Sequence, residues 1–297
     1  MIEKEERLPF YNDDIFKFLI NLLTEGSYTF VYDLIYAITG ILPTSIEKFD
    51  RVFDRQNPNM KSSEVDGLFV LNDEFIIDIE VQRTLSFEAL SHKIHRYLGY
   101  MLTSTTLKGQ KDNEKVLRVM MIVFYLGSID DSQDLVATGK YRGDKKSTKM
   151  ISNMNTYVVQ LGKVNDIFEK KGIKKMSSLE RVSFVIQNAH KEKYSDIIKI
   201  LKKLENEVAY MEKRYDEFTM DIGAYLMAKR KEVNEFAIKE TIRDTKRDFE
   251  ELGLKKGKMK EKEETAMRML ASGKYTIEAI VEITGLNIED VKRLSTL

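Results

Sequence analysis

The 297-residue chain carries 48 Lys+Arg against 48 Asp+Glu, a formal net charge of +0, and contains no cysteine. That composition excludes disulfides, thiolate nucleophiles and cysteine-ligated zinc. No stretch approaches the roughly 18 consecutive apolar residues of a membrane span, and the acidic start MIEKEERLPF is unlike a secretion signal, so a cytoplasmic protein with no membrane partner is expected.

The neutral total hides an asymmetry. Residues 1–100 hold 10 Lys+Arg against 17 Asp+Glu, and the remainder holds 38 against 31. Acids therefore gather early, while basic clusters follow at Lys140 to Lys149, Lys170 to Lys175 and Lys255 to Lys262. Such clusters could hold a polyanion against the acidic part, or could be solvated loops and helix faces.

In chain order, residues 12–23 read as a helix opened by Asn12 or Asp13, so that Asp13 is ambiguous between a cap and a site residue. Residues 28–41 read as a second apolar helix. The stretch 64–82, EVDGLFVLNDEFIIDIEVQ, reads as a β-hairpin around Asn72-Asp73. Side chains alternate across a strand, so Phe75, Ile77, Ile79 and Val81 share one face and Ile76, Asp78, Glu80 and Gln82 the other. A three-residue loop, Asn72-Asp73-Glu74, puts Leu71 opposite Phe75 and Asp66 opposite Glu80. A two-residue turn would send the acids to opposite faces. Gathered acids repel unless a cation lies between them, which suggests a divalent metal; the plainer alternative is a solvated face of an edge hairpin.

Ser86 predicts a cap for a helix through about Thr103, with Lys93 and Arg96 on one face and His92 and His95 on another. Two histidines make half a zinc site at most. Residues 116–126, VLRVMMIVFYL, read as a strand buried on both faces. Residues 139–149 read as a basic loop, and 154–161 as a late strand. Helices flanking a mixed sheet predict an α/β or α+β layer architecture.

From about 165 onward the texture becomes helical, with a capping box at Ser177 to Glu180. Apolar residues from Tyr194 to Tyr225 keep 3-4 spacing, which predicts a coiled coil, a long helical hairpin or a helix packed on its own domain. Residues 255–262 read as a charged linker. Residues 263–297 read as three short helices, the last two forming a helix-turn-helix-like unit around Gly285. Its second helix opens with Asn287-Ile288-Glu289-Asp290, poorly suited to a phosphate backbone, so helix packing is favoured over DNA reading. The division expected is a core over 1–165, a helical region over 166–254 with the 194–225 seam, and a linker with a C-terminal segment over 255–297.

Asp13-Asp14-Ile15-Phe16-Lys17, Val65-Asp66-Gly67 and Asp78-Ile79-Glu80-Val81-Gln82, in that order and spacing, resemble the Rpn family of recombination-promoting nucleases, also called putative transposases, within the PD-(D/E)XK nuclease superfamily. The resemblance covers nearly the whole chain and is strongest over residues 8–127. It implies an α/β fold with a PD-(D/E)XK-like mixed central sheet flanked by helices, followed by a mostly helical C-terminal region. It also implies a low-specificity DNA endonuclease that promotes recombination, with Mg²⁺ as cofactor and Mn²⁺ able to substitute. Asp66 and Glu80 match the superfamily's acids, with Asp13 the acid of the first helix. Gln82 stands where most superfamily members have lysine, as the E-x-Q pattern of this family does. Under this implication Asp66, Glu80 and the Val81 carbonyl hold the metal, Gln82 orients water, and Lys17, Lys93 or Arg96 contacts DNA and supplies the missing charge. Asp78 has no superfamily role and is an additional candidate. The competing expectation is a catalytically weak or inactive DNA-binding or assembly protein, homodimeric through the 194–225 helix.

Overall fold

A computed structural model describes residues 7–21, 24–49, 67–83, 86–104, 117–140 and 154–295. Helix α1 (Asp13–Ile20) is capped by the Asn12 side chain, which accepts from the Asp14 and Ile15 amides, so Asp13 is not the cap. Helix α2 (Glu25–Thr39) begins in a Thr24/Ser27 capping box and ends where Gly40 turns left-handed. Strands β1 (Ile46–Lys48), β2 (Gly67–Leu71) and β3 (Phe75–Gln82) follow, then α3 (Phe87–Ser104), β4 (Arg118–Tyr125), β5 (Val136–Lys140) and β6 (Met154–Gln160). Gly139 and Lys140 thus belong to a strand and not to the basic loop expected over 139–149; residues 141–149 lie outside the described residues.

The six strands form one mixed sheet in the order β1-β2-β3-β4-β6-β5. β2 pairs antiparallel with β3, and β3 and β4 run parallel, the crossover between the parallel pair carrying α3. Leu71 faces Phe75 and Gly67 faces Ile79, the register of the three-residue loop. Asn72 (φ 53°) and Asp73 (φ 50°) take the left-handed backbone that this turn requires, and the Glu74 amide closes it on the Leu71 carbonyl at 2.9 Å. With β2 on one side and β4 on the other, β3 is an interior strand whose eight residues are all buried. The solvated edge hairpin is therefore excluded.

Alternation divides two cores. Phe75, Ile77, Ile79 and Val81 face a large apolar cluster shared with α1 and α2, whereas Ile76 and Leu68 face a smaller one built with Leu90, Tyr97, Leu98 and Met101 of α3. Gly67 sits where α1 presses on the sheet: a β-carbon there would lie 2.5 Å from Ile20 Cδ1, which explains a glycine directly after Asp66.

The helices α4 (Val164–Lys171), α5 (Ser178–Asn188), α6 (Ser195–Leu204) and α7 (Asn206–Met220) pack into the larger core rather than forming a separate region. The apolar seam is thus broken at Glu205 and Asp221, and its Leu201, Val208, Met211, Tyr215 and Phe218 are buried in the chain's own core. Leu204 and Ile222 of the same seam stay exposed. Arg7 ties the segment before α1 to α7, bonding Glu212 at 2.7 and 3.1 Å while stacking 4.2 Å over the Tyr215 ring. Burial pushes the Tyr215 hydroxyl up to about 12. It receives the Leu8 amide at 3.0 Å.

The chain divides into two compact units, residues 1–229 and 230–297, in place of the three expected segments. Helix α8 (Ile222–Ser272) runs straight through 255–262, so that stretch is helix and not linker, and the first of the three predicted short helices is its end. Lys and Glu are good helix formers, and one interior glycine costs only about 1 kcal/mol. Within the second unit, α9 (Ile277–Thr284) and α10 (Ile288–Leu294) meet across left-handed Gly285, and Ile280, Leu286 and Val291 bury against Ala266. Among the described residues no helix is long and apolar enough to cross a membrane.

Candidate active site

The polar face of β3 is the unusual feature of the molecule. Asp78 and Glu80 are 0% exposed and Gln82 8%, on an interior strand where isolated charges are strongly disfavoured. The two carboxylates are two residues apart on one face, a separation of about 7 Å along a strand.

Lys93 answers this from α3. Its Nζ lies 2.5 Å from Glu80 Oε2, and the same oxygen accepts a 2.9 Å hydrogen bond from Gln82 Nε2. Both donors converge on one oxygen. Oε1 of Glu80 is buried and has no hydrogen-bond partner among the described residues. Burial raises the Glu80 pKa above its ordinary value, and this outweighs the lowering by Lys93, by the Gln82 hydrogen bond and by the more distant charge of Lys17. The carboxylate is held in place while remaining short of stabilisation for its charge.

Aromatic support fixes the lysine. The Lys93 ammonium lies 5.0 Å from the centroid of the buried Tyr97 ring, and the Arg96 guanidinium 5.5 Å from the same ring. Lys93 thus points inward to Glu80 while Arg96 is exposed. Lys17, half-buried on α1, reaches Glu80 through its charge. Asp13 is exposed on the first turn, and among the described residues no hydrogen bond or ion pair joins it to Glu80 or Gln82. The Val81 side chain faces the larger core, away from the polar face of β3. Asp66 lies outside the described residues.

Gln82 donates one Nε2–H to Glu80, a contact not expected from the sequence. The two histidines of α3 are both exposed, and His95 Nδ1 is 2.7 Å from the Ser91 carbonyl. Among the described residues no three metal-binding side chains cluster.

Glu80 Oε1 is nevertheless one oxygen of the kind that a hard divalent cation takes. A buried carboxylate oxygen without a donor is costly in an apolar interior and is the type of ligand that Mg²⁺ takes. Sequence reasoning found Glu80 and Gln82 through strand alternation. It had no means of choosing Lys93 over Lys17 or Arg96, because that choice depends on how α3 lies across the sheet.

No protein-family model matches the chain, and neither a curated protein nor a solved structure does.

Proposed function

We propose that the chain is a metal-dependent endodeoxyribonuclease of the PD-(D/E)XK type, related to the Rpn family, cutting DNA with low sequence preference. The observation that carries the reading is Glu80: a buried carboxylate on an interior strand, fixed through one oxygen and, among the described residues, left without a donor at the other.

Glu80 Oε1, the Val81 carbonyl and Asp66 would hold Mg²⁺ or Mn²⁺. The three-residue loop expected from the sequence is the one that would set Asp66 opposite Glu80. The chemistry that a cation bound there would supply is polarisation of the scissile phosphate and a lowered pKa of a nearby water. Gln82 holds Glu80 in its orientation and keeps Oε2 occupied, so that Oε1 is the atom offered. Lys93 supplies from the helix the ammonium that position 82 lacks, and its charge offsets the negative charge that builds on the phosphate oxygens during attack by water. Lys17 and Arg96 add positive charge for holding the DNA backbone.

Plasmid nicking in Mg²⁺ or Mn²⁺ tests the assignment. Wild type should convert supercoiled to open-circular DNA, and Asp66→Ala and Glu80→Ala should each lose on the order of 10³-fold in rate. Equal cleavage by the folded variants would remove both residues from the site.

A further inference from the structure

On the same sheet face as Glu80, a cavity of about 700 Å³ opens between α3 and strands β5 and β6. Its size falls within the range of roughly 300–1,000 Å³ typical of small-molecule sites. Leu90, Ile94, Leu98 and Val158 give it apolar walls, and Phe87, half-exposed, stands at its mouth.

Sheet register fixes where this cavity lies relative to the carboxylate. Glu80 pairs with Val123, Val123 with Val158, and Val158 with Ala137. Glu80 and the cavity wall at Val158 therefore occupy one row, two strand spacings or roughly 10 Å apart. That span is about the reach from a phosphate to a base within a nucleotide or its neighbour, given a backbone repeat of several ångströms.

The lining has features that a mere packing gap would lack. Gly99 lies inside α3, where glycine costs about 1 kcal/mol relative to alanine, and a β-carbon there would meet nothing within 4 Å. No packing requirement within the fold explains it, whereas close approach of a flat ligand to the helix backbone would. His95 adds a directed polar group. Its Nδ1 lies 2.7 Å from the Ser91 carbonyl, which can only accept, so Nδ1 donates to it and Nε2 is the ring's other hydrogen-bonding atom. Thr156 contributes a hydroxyl from β6, and Asp130 at the edge is already paired with Lys163. Apolar walls, a ring at the mouth and a few hydrogen-bonding groups are what a planar heteroaromatic base requires.

We infer that this cavity is a base-binding subsite, which receives a nucleobase next to the phosphate that a cation bound at Glu80 would hold. The inference deepens the nuclease reading and rests on it for the adjoining phosphate. The base would come either from a single strand with an unstacked nucleotide or from a free nucleotide.

Fluorescence titration in EDTA separates these cases without any cleavage. The probes are a single-stranded oligonucleotide containing one 2-aminopurine, and free 2-aminopurine nucleoside monophosphate. Wild type should give a saturable emission change with at least one probe, and Gly99→Leu and Ala137→Leu, which fill the cavity from opposite walls, should weaken it at least tenfold. Response to the oligonucleotide alone identifies a strand as the source; response to the monophosphate as well identifies a free nucleotide. Thermal melting reports whether each variant folds, and Ala137→Leu carries the test if Gly99→Leu does not. Absence of a saturable change in wild type, or unchanged binding by the folded variants, overturns the subsite. A wild type that shows the emission change yet never nicks plasmid would sink the nuclease reading and leave the subsite standing.

Discussion

Glu80→Gln should melt at a higher temperature than wild type in metal-free buffer at pH 7.5, while losing the stabilisation that Mg²⁺ gives the parent. The Glu80 carboxyl has its pKa raised in the folded chain, chiefly by burial, above the 4.5 of an unperturbed glutamate. A raised acid favours its neutral form when folded. Its contribution to stability is therefore complete below about pH 4.5 and is lost as pH rises through the folded-state value. The variant amide imitates the neutral acid at every pH, so its advantage should be absent in acid, grow through that window and then level off. This balance already includes the attraction of Lys93, which burial outweighs. Added cation reverses the order. A ligand at a hundred times its Kd stabilises the folded state by about 2.7 kcal/mol, and only the carboxylate can bind it well. Differential scanning calorimetry across pH, with and without MgCl₂, reads both halves. A variant less stable than wild type in EDTA at pH 7.5 would contradict the energetic account of the site.

Lys93→Met should have the opposite effect on stability and the same effect on cleavage. Removing the ammonium leaves Glu80 buried with, among the described residues, Gln82 as its remaining donor, and breaking a buried ion pair from one side costs about 3 kcal/mol. The cost should shrink in acid, where Glu80 is protonated and needs no partner. Rate should fall on the order of 10²-fold, the usual loss of one electrostatic stabiliser, and Lys93→Arg should recover part of it. The double variant Glu80→Gln/Lys93→Met separates structure from chemistry, because a neutral pair replaces a broken ion pair. Urea unfolding should show most of the stability regained while nicking stays absent. A double variant as unstable as Lys93→Met alone would mean that Lys93 stabilises the fold through Tyr97 and not through Glu80.

The sequence revealed the parts of this architecture that follow local rules. Period-two alternation in FIIDIEVQ correctly divided the two faces of β3, the Asn-Asp turn correctly led to the three-residue loop, and Ser177 with Glu180 forms the predicted capping box. Strands β1 and β5 escaped notice because they are short edge strands, and VATGK mixes polar residues with a glycine. The 3-4 spacing through Tyr194 to Tyr225 persists across two breaks, since Glu205 and Asp221 are ordinary helix-compatible residues that give no stop signal. For the site, the carboxylate and its glutamine neighbour were legible on one strand. The pairing of Lys93 with Glu80 was not, because it joins two elements whose relative placement depends on the apolar packing of α3 against the sheet.

Because β3 is hydrogen-bonded along both edges and buried on both faces, Glu80 sits in the segment of the molecule that opens last. Amide protons from Ile77 to Val81 should exchange with solvent mainly when the whole first unit unfolds, at the slow limit set by global stability. Nothing that binds Glu80 can then be gained or lost by local fraying. Occupancy of the site and persistence of the fold become one equilibrium, and protection of these amides against deuterium measures ligand affinity even when no turnover occurs.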